Sequence, residues 1–265
     1  MNFRHPAFDP YRDEINQLAL DRQRPELAAL NALAAARGLV NTRRLPLNFV
    51  AADGPLSARD YESRILQTGN VPTRADTWHD LMNALVWLRY PDFKAALNAA
   101  HGDAFASETG TLRGRRRDAL TMLDESGVWV TSDDPGLTGL LQQRQWSELF
   151  WAQRERVQAA MRFVVVGHSL LEKMLAPYPA MTGKCLFVPS GATPEKALAA
   201  INDPRQLAPL PVLGIPGWDA ANACAAYYAN AAVFRSAAPA ARTPADPGVL
   251  RAPIPPAPDA TRGSR

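Results

Sequence analysis

Residues 77–88, TWHDLMNALVWL, constrain the fold more than any other stretch. Trp78, Leu81, Met82, Leu85 and Leu88 recur at three- and four-residue intervals, the repeat that gives a helix one apolar face. Thr77 is an N-cap residue, and Asp80 three positions on can close a variant of the capping box. Pro91 ends the run, because a residue preceding proline avoids helical geometry. His79, Asp80 and Asn83 fall beside or off the apolar face. In one reading His79 and Asp80 bring an imidazole and a carboxylate to a site at the helix start. In the other, Asp80 is a cap carboxylate favoured by the helix dipole and His79 a hydrogen-bonder.

Around this helix the pattern predicts further helices at 15–20, 26–37 (stopped by Gly38), 57–66 (capped by Ser57), 92–100, 112–125, 135–144, 146–161, 169–176 and 220–232. Strands are expected at 45–51, 128–130, 163–166 and 184–188, and a turn at 69–72. Residues 209–218, PLPVLGIPGW, read as extended and turn-rich, their prolines excluding an interior strand. From Ser236 onward there are seven prolines in thirty residues and almost no large apolar side chains, so that segment cannot offset its own ordering entropy. The expectation is an α+β fold: a single helix-rich globular domain over 1–235 with a few short strands, then a disordered Ala/Pro-rich tail over 236–265.

No apolar run approaches the length of a membrane span, and the start, MNFRHPAFDPYRDE, lacks the apolar region of a signal peptide. A cytoplasmic protein is expected, with Cys185 and Cys224 as two buried free thiols. The net charge is +3, most of it contributed by the tail, where four arginines face two aspartates. That leaves the body with no strong nucleic-acid signal. Only four of the 29 basic residues are lysines, so arginine clusters carry less weight here than Lys173 or Lys184.

The segment VVVGHSLL resembles the strand and nucleophile elbow of an α/β-hydrolase, but Leu171 stands where the second glycine belongs. No histidine follows His168 to complete a triad. His168 and Glu172, four apart on one helical face, are a better use of the segment: such a pair can hold a divalent metal or orient an imidazole. The helix GRRRDALTMLDES carries Asp118, Asp124 and Glu125, and Asp118 and Glu125 share a face seven residues apart. Its arginines, Arg115 and Arg116 in particular, could clamp an anionic ligand. P-loop, GxGxxG, HExxH and CxxC motifs are absent.

Four segments together, VPTRADTWHDLMNALVWLRYPDFKAALNAAH, RRRDALTMLDESGV, GHSLLEKMLAPYPAMTGK and LPVLGIPGW, resemble a proteobacterial family known only as a domain of unknown function. The resemblance covers most of the chain before the tail and implies no activity. Position 169, where that family is expected to accept alanine, further weakens a serine nucleophile. The functional expectation is an enzyme with a His/carboxylate pocket. His79, Asp80, His168, Glu172 and Lys184 would be its catalytic groups, and His79, Asp80, Asp118, Glu125 and His168 the ligands of a divalent metal. Metal-assisted hydrolysis of a phosphoester is the reaction named first. The alternative is a non-catalytic module that binds an anionic partner, nucleic acid or acidic protein, through the arginine-rich helix.

Overall fold

The structure, a computed structural model, describes residues 2–108 and 114–236. The chain opens with a 3-10 turn over Pro6–Tyr11 and continues into α1, Arg12–Gln17. The Tyr11 hydroxyl donates to the Val165 carbonyl at 2.6 Å, tying this start to the far half of the molecule. Next comes α2, Leu27–Ala36. β1 (Asn48–Ala51), α3 (Ala58–Thr68) and β2 (Asn70–Thr73) form a strand–helix–strand unit whose strands pair in parallel, Asn48 opposite Asn70. The Ser57 hydroxyl caps α3 by accepting the Asp60 N–H, and Gly69 closes it at φ +75°. A Cβ on Gly69 would meet the Pro46 carbonyl oxygen at 2.2 Å, so only glycine turns the helix straight into β2 here.

α4, Trp78–Arg89, is capped by Thr77 and buries every residue from Leu81 to Leu88. It is therefore enclosed all round rather than on one face. α5 (Pro91–Ser107) restarts at a proline in its first turn, where a missing N–H costs nothing. α6 (Arg115–Ser126) runs without a loop into β3 (Gly127–Ser132). α7 (Pro135–Gln142), a π-helical turn at Glu148–Ala152 and α8 (Arg154–Ala160) return the chain to β4 (Met161–Val165). α9 (His168–Lys173), β5 (Thr182–Phe187), α10 (Pro194–Ala199) and β6 (Ala208–Pro211) follow. The larger sheet has the order β4-β3-β5-β6, with β3 parallel to β5 and the other two pairings antiparallel. The fold is α+β. Buried apolar side chains from Phe3 to Phe234 form one cluster with α4 inside it, each large side chain contributing about 1.5–3 kcal/mol of burial.

Several expectations need correction. Residues 70–73 form a strand, not a turn: in a two-stranded sheet each strand keeps an unpaired edge, and Pro72 is tolerated there. α5 does not stop at His101-Gly102 but continues to Ser107. Gly102 lies against α3, where a Cβ would meet Leu66 at 2.9 Å, so close packing overrides its weak helix propensity. Residues 220–232 hold two 3-10 turns in place of a helix. The fully buried Asn222 fixes them by donating to the Leu213 and Ile215 carbonyls. Cys224, in these turns, is exposed, whereas Cys185 is buried and its thiol is pushed well up by that burial. All but Ser236 of the 236–265 tail lies outside the described residues. Among the described residues, no helix is long and apolar enough to cross a membrane.

Candidate metal centre

α4 and α9 pack against each other, and this contact brings together two imidazoles 89 residues apart. His79 lies in the first turn of α4, and His168 is the first residue of α9. Their Nε2 atoms are 3.0 Å apart, with the rings at 76°. Glu172, one turn beyond His168, places Oε2 3.1 Å from His79 Nδ1. The pair four apart thus works as one face, but the imidazole its carboxylate orients is that of His79. On the other side, His168 Nδ1 lies 3.6 Å from Asp124 Oδ1, and His168 Nε2 lies 3.7 Å from Glu125 Oε2. One ligand atom from each of His79, Glu125 and His168 can be chosen so that all lie within 4.8 Å of one another, a group able to hold a metal ion.

Two glycines make the convergence of α6 and α9 possible. The N–H groups of Val166 and Gly167 both donate to the Gly127 carbonyl at 2.9 Å. A Cβ on Gly167 would sit 2.4 Å from the Gly127 nitrogen and 2.5 Å from the Ser126 Cα. Backbone touches backbone there, so the last turn of α6, carrying Asp124 and Glu125, meets the first residue of α9. The glycine before His168 serves this approach rather than a nucleophile elbow.

Behind the imidazoles, Lys94 and Asp124 form an ion pair with side chains only 5% and 15% exposed. Desolvation opposes ionised Asp124, but Lys94 and His168 outweigh it and hold the carboxyl below the usual range. Glu62, on α3, accepts a hydrogen bond from Asn98 Nδ2 at 2.6 Å. Burial, then the charge of Asp124, pushes the Glu62 carboxyl up to about 7, and Lys94 only partly offsets them.

A cavity of about 700 Å³ opens between α3, α4, α6 and the segment joining β1 to α3, with Glu172, Lys94 and Asn98 outside its lining. His79, Asp80, Glu125 and His168 line it, as do Glu62 and Asp124. Asp80 lines it with its oxygens already engaged: Oδ2 accepts from Arg74 N at 2.7 Å and Nε at 3.0 Å, and Oδ1 from Nη2 at 2.9 Å. Desolvation notwithstanding, Arg74 keeps this carboxyl low. Asp80 is thus the carboxylate of a loop-to-helix brace, and the metal-capable group does not include it. Asp118, unlike Asp80, is not in the lining. It shares a face with Glu125, but seven residues of helix put it ~10 Å along the axis, too far for one ion. Lys184 lies on β5 in register with Gly127 and outside the cavity wall. In the arginine-rich helix, Arg115 pairs with Asp203 and Arg117 with Glu108, so these two are committed to structural carboxylates. Arg116 buries its Nε without a hydrogen-bond partner.

Glu62 escaped the sequence reading, yet a signal exists. It stands in the stripe Tyr61, Glu62, Ile65, Leu66, where an acid interrupts an otherwise apolar helical face. Lys94 and Asn98 interrupt the buried face of α5 in the same way.

Residues 47–238 match the family described as "Protein of unknown function (DUF3025)". The chain belongs to this family. The matched DUF3025 span runs from β1 onward and includes every side chain of the site, whereas α1 and α2 precede it. No curated protein and no solved structure matches the chain.

Proposed function

We propose that this DUF3025 protein is a divalent-metal-dependent hydrolase whose ion is held by Nε2 of His79, Nε2 of His168 and a carboxylate oxygen of Glu125. One observation carries the reading: the two Nε2 atoms face each other at 3.0 Å, each ring with a carboxylate behind its Nδ1. Glu172 Oε2 accepts a hydrogen bond from His79 when Nδ1 carries the proton, the tautomer that leaves a lone pair on Nε2. Asp124 Oδ1, 3.6 Å from His168 Nδ1, puts negative charge behind the second ring without a hydrogen bond to it. With an Nδ1–H tautomer in both rings the two Nε2 lone pairs repel unless a cation lies between them; without the ion, one ring donates its Nε2–H to the other at this distance. Ligand nitrogens ~2.1 Å from one ion are ~3.0 Å apart at a right angle and ~3.4 Å at a tetrahedral angle, so the spacing suits a shared ion. A carboxylate behind each metal-bound histidine is the usual outer support of such centres.

An ion held there would supply Lewis acidity, lowering the pKa of water and polarising a carbonyl or phosphoryl oxygen. The chain's own groups do the rest. Glu62, its carboxyl near 7 at the same cavity, can take a proton at neutral pH and return it. Lys94 fixes Asp124, which in turn faces His168. Esters and phosphoesters are both cleaved by this arrangement.

The test is metal analysis of protein prepared without a histidine tag, stripped with chelator and re-equilibrated with Zn²⁺ or Mn²⁺. About one ion per chain is expected, and His79→Ala and His168→Ala should each abolish it while leaving the circular dichroism spectrum unchanged. Folded wild-type protein that holds no ion after this treatment refutes the reading.

A further inference from the structure

The cavity has two unlike walls. α4, α6 and α9 supply the polar one. The facing wall comes from the β1–α3 connection and the end of α5, with Ala52, Pro55, Leu56, Ala58 and Phe105. Leu56 is 43% exposed, one of three large apolar side chains so open among the described residues, and it sits in the wall of this cavity. A pocket that combines an apolar wall with a few convergent polar groups is shaped for a ligand with an apolar body and one polar reacting group.

The charges agree with the shape. Both arginines in the wall are already matched: Arg74 by Asp80, and Arg117 by Glu108 at 2.6 Å with its guanidinium 5.0 Å above the Phe105 ring. Lys94 is matched by Asp124. Phosphate recognition normally draws on arginines or lysines free to fork onto the oxygens, and these three are not. A divalent ion balanced by Glu125 and Glu172 leaves the centre close to neutral.

We propose that the site takes an uncharged acyl compound, an ester or amide, with its carbonyl at His79 and His168 and its apolar acyl chain along Pro55, Leu56 and Phe105, in preference to a phosphoester. This rests on the metal reading above. Hydrolysis breaks the acyl C–O or C–N bond: water gives its hydroxyl to the acyl carbon and its remaining proton to the departing alcohol or amine. The cavity volume lies within the range of small-molecule sites and accommodates a chain of several carbons.

Straight-chain alkyl hydroxamates, from acetohydroxamate to octanohydroxamate, separate the two ideas, because the headgroup chelates the ion and the chain reads the wall. Calorimetry on the Zn²⁺- or Mn²⁺-loaded full chain should show affinity rising up to ~4-fold per methylene until the wall is covered. Leu56→Ser, which removes the apolar surface without adding a charge, should flatten that rise, read as the ratio of octano- to acetohydroxamate affinity in the same metal-loaded variant. Acetohydroxamate binding with no gain along the series, or inorganic phosphate binding more tightly than the long chains, overturns the acyl assignment and leaves the metal centre standing. A folded chain that carries no ion and binds none of the series sinks both.

Discussion

Replacing Glu62 with glutamine isolates the least comfortable group in the cavity. The Glu62 carboxyl, ordinarily near 4.5, is raised to about 7 by burial first and by the Asp124 charge second. Below pH 4.5 both folded and unfolded chains hold the proton, and nothing is lost. Between there and about 7 the folded chain keeps a proton that the unfolded chain has released, so folding stability falls as pH rises. Above 7 the ionised group stays in place at its full cost, up to ~3 kcal/mol at about 1.4 kcal/mol per pKa unit. Glutamine keeps the size and an oxygen for Asn98 but never ionises. Urea unfolding of wild type and Glu62→Gln in chelator, at half-unit steps from pH 4.5 to 8.5, should give nearly equal stabilities at the acid end. By pH 8 the variant should lead by up to ~3 kcal/mol. If Glu62 also carries the proton in catalysis, the more stable variant is the inactive one. A stability difference that does not change with pH, or a variant weaker than wild type at pH 8, would show that Lys94 neutralises the ionised carboxylate, and the argument fails.

Asp124→Asn should lower stability by ~3–5 kcal/mol, since it leaves the Lys94 ammonium buried without its counter-charge. Adding Lys94→Met should recover most of that in urea unfolding, and absence of recovery refutes the pairing. Gly167→Ala should cost at least ~2 kcal/mol and lower metal occupancy, because backbone atoms 2.4–2.5 Å from the new Cβ cannot move aside without shifting His168. Thermal melts and metal analysis read the two effects. Thiol titration of native protein should count about one reactive cysteine, Cys224, and two after unfolding, because Cys185 is enclosed and held as the thiol.

Local chemistry was legible wherever a helix end was set by its own residues. Ser57 with Asp60, Thr77 with Asp80, and Gly38 mark helix boundaries in sequence and in space alike. Where a distant partner decides, the same rules mislead. Gly102 looks like a stop until Leu66 packs on it, and the alanines after Ala220 look helical until Asn222 bonds two carbonyls upstream. Pro72 looks like a turn because the sequence cannot show that its strand has a free edge.

The site obeys the same division. The face shared by His168 and Glu172 was readable from their spacing, since the helix itself brings them together. That His79 joins His168 is also expected from the sequence, as two ligands of one metal, but no spacing rule carries it, because the contact spans 89 residues and depends on α4 meeting α9. The spacing of Asp118 and Glu125 gave the right azimuth and ignored the rise between them. In the sequence Asp80 carries the signals of both a cap and a ligand. Arg74, six residues before it and outside any periodic pattern, engages both oxygens. Polar residues inside apolar stripes, Glu62 and Lys94, carry more site information than the exposed arginines. Burying an ionisable group is costly unless it is partnered, and both of these lie around the Asp124 carboxylate that backs His168.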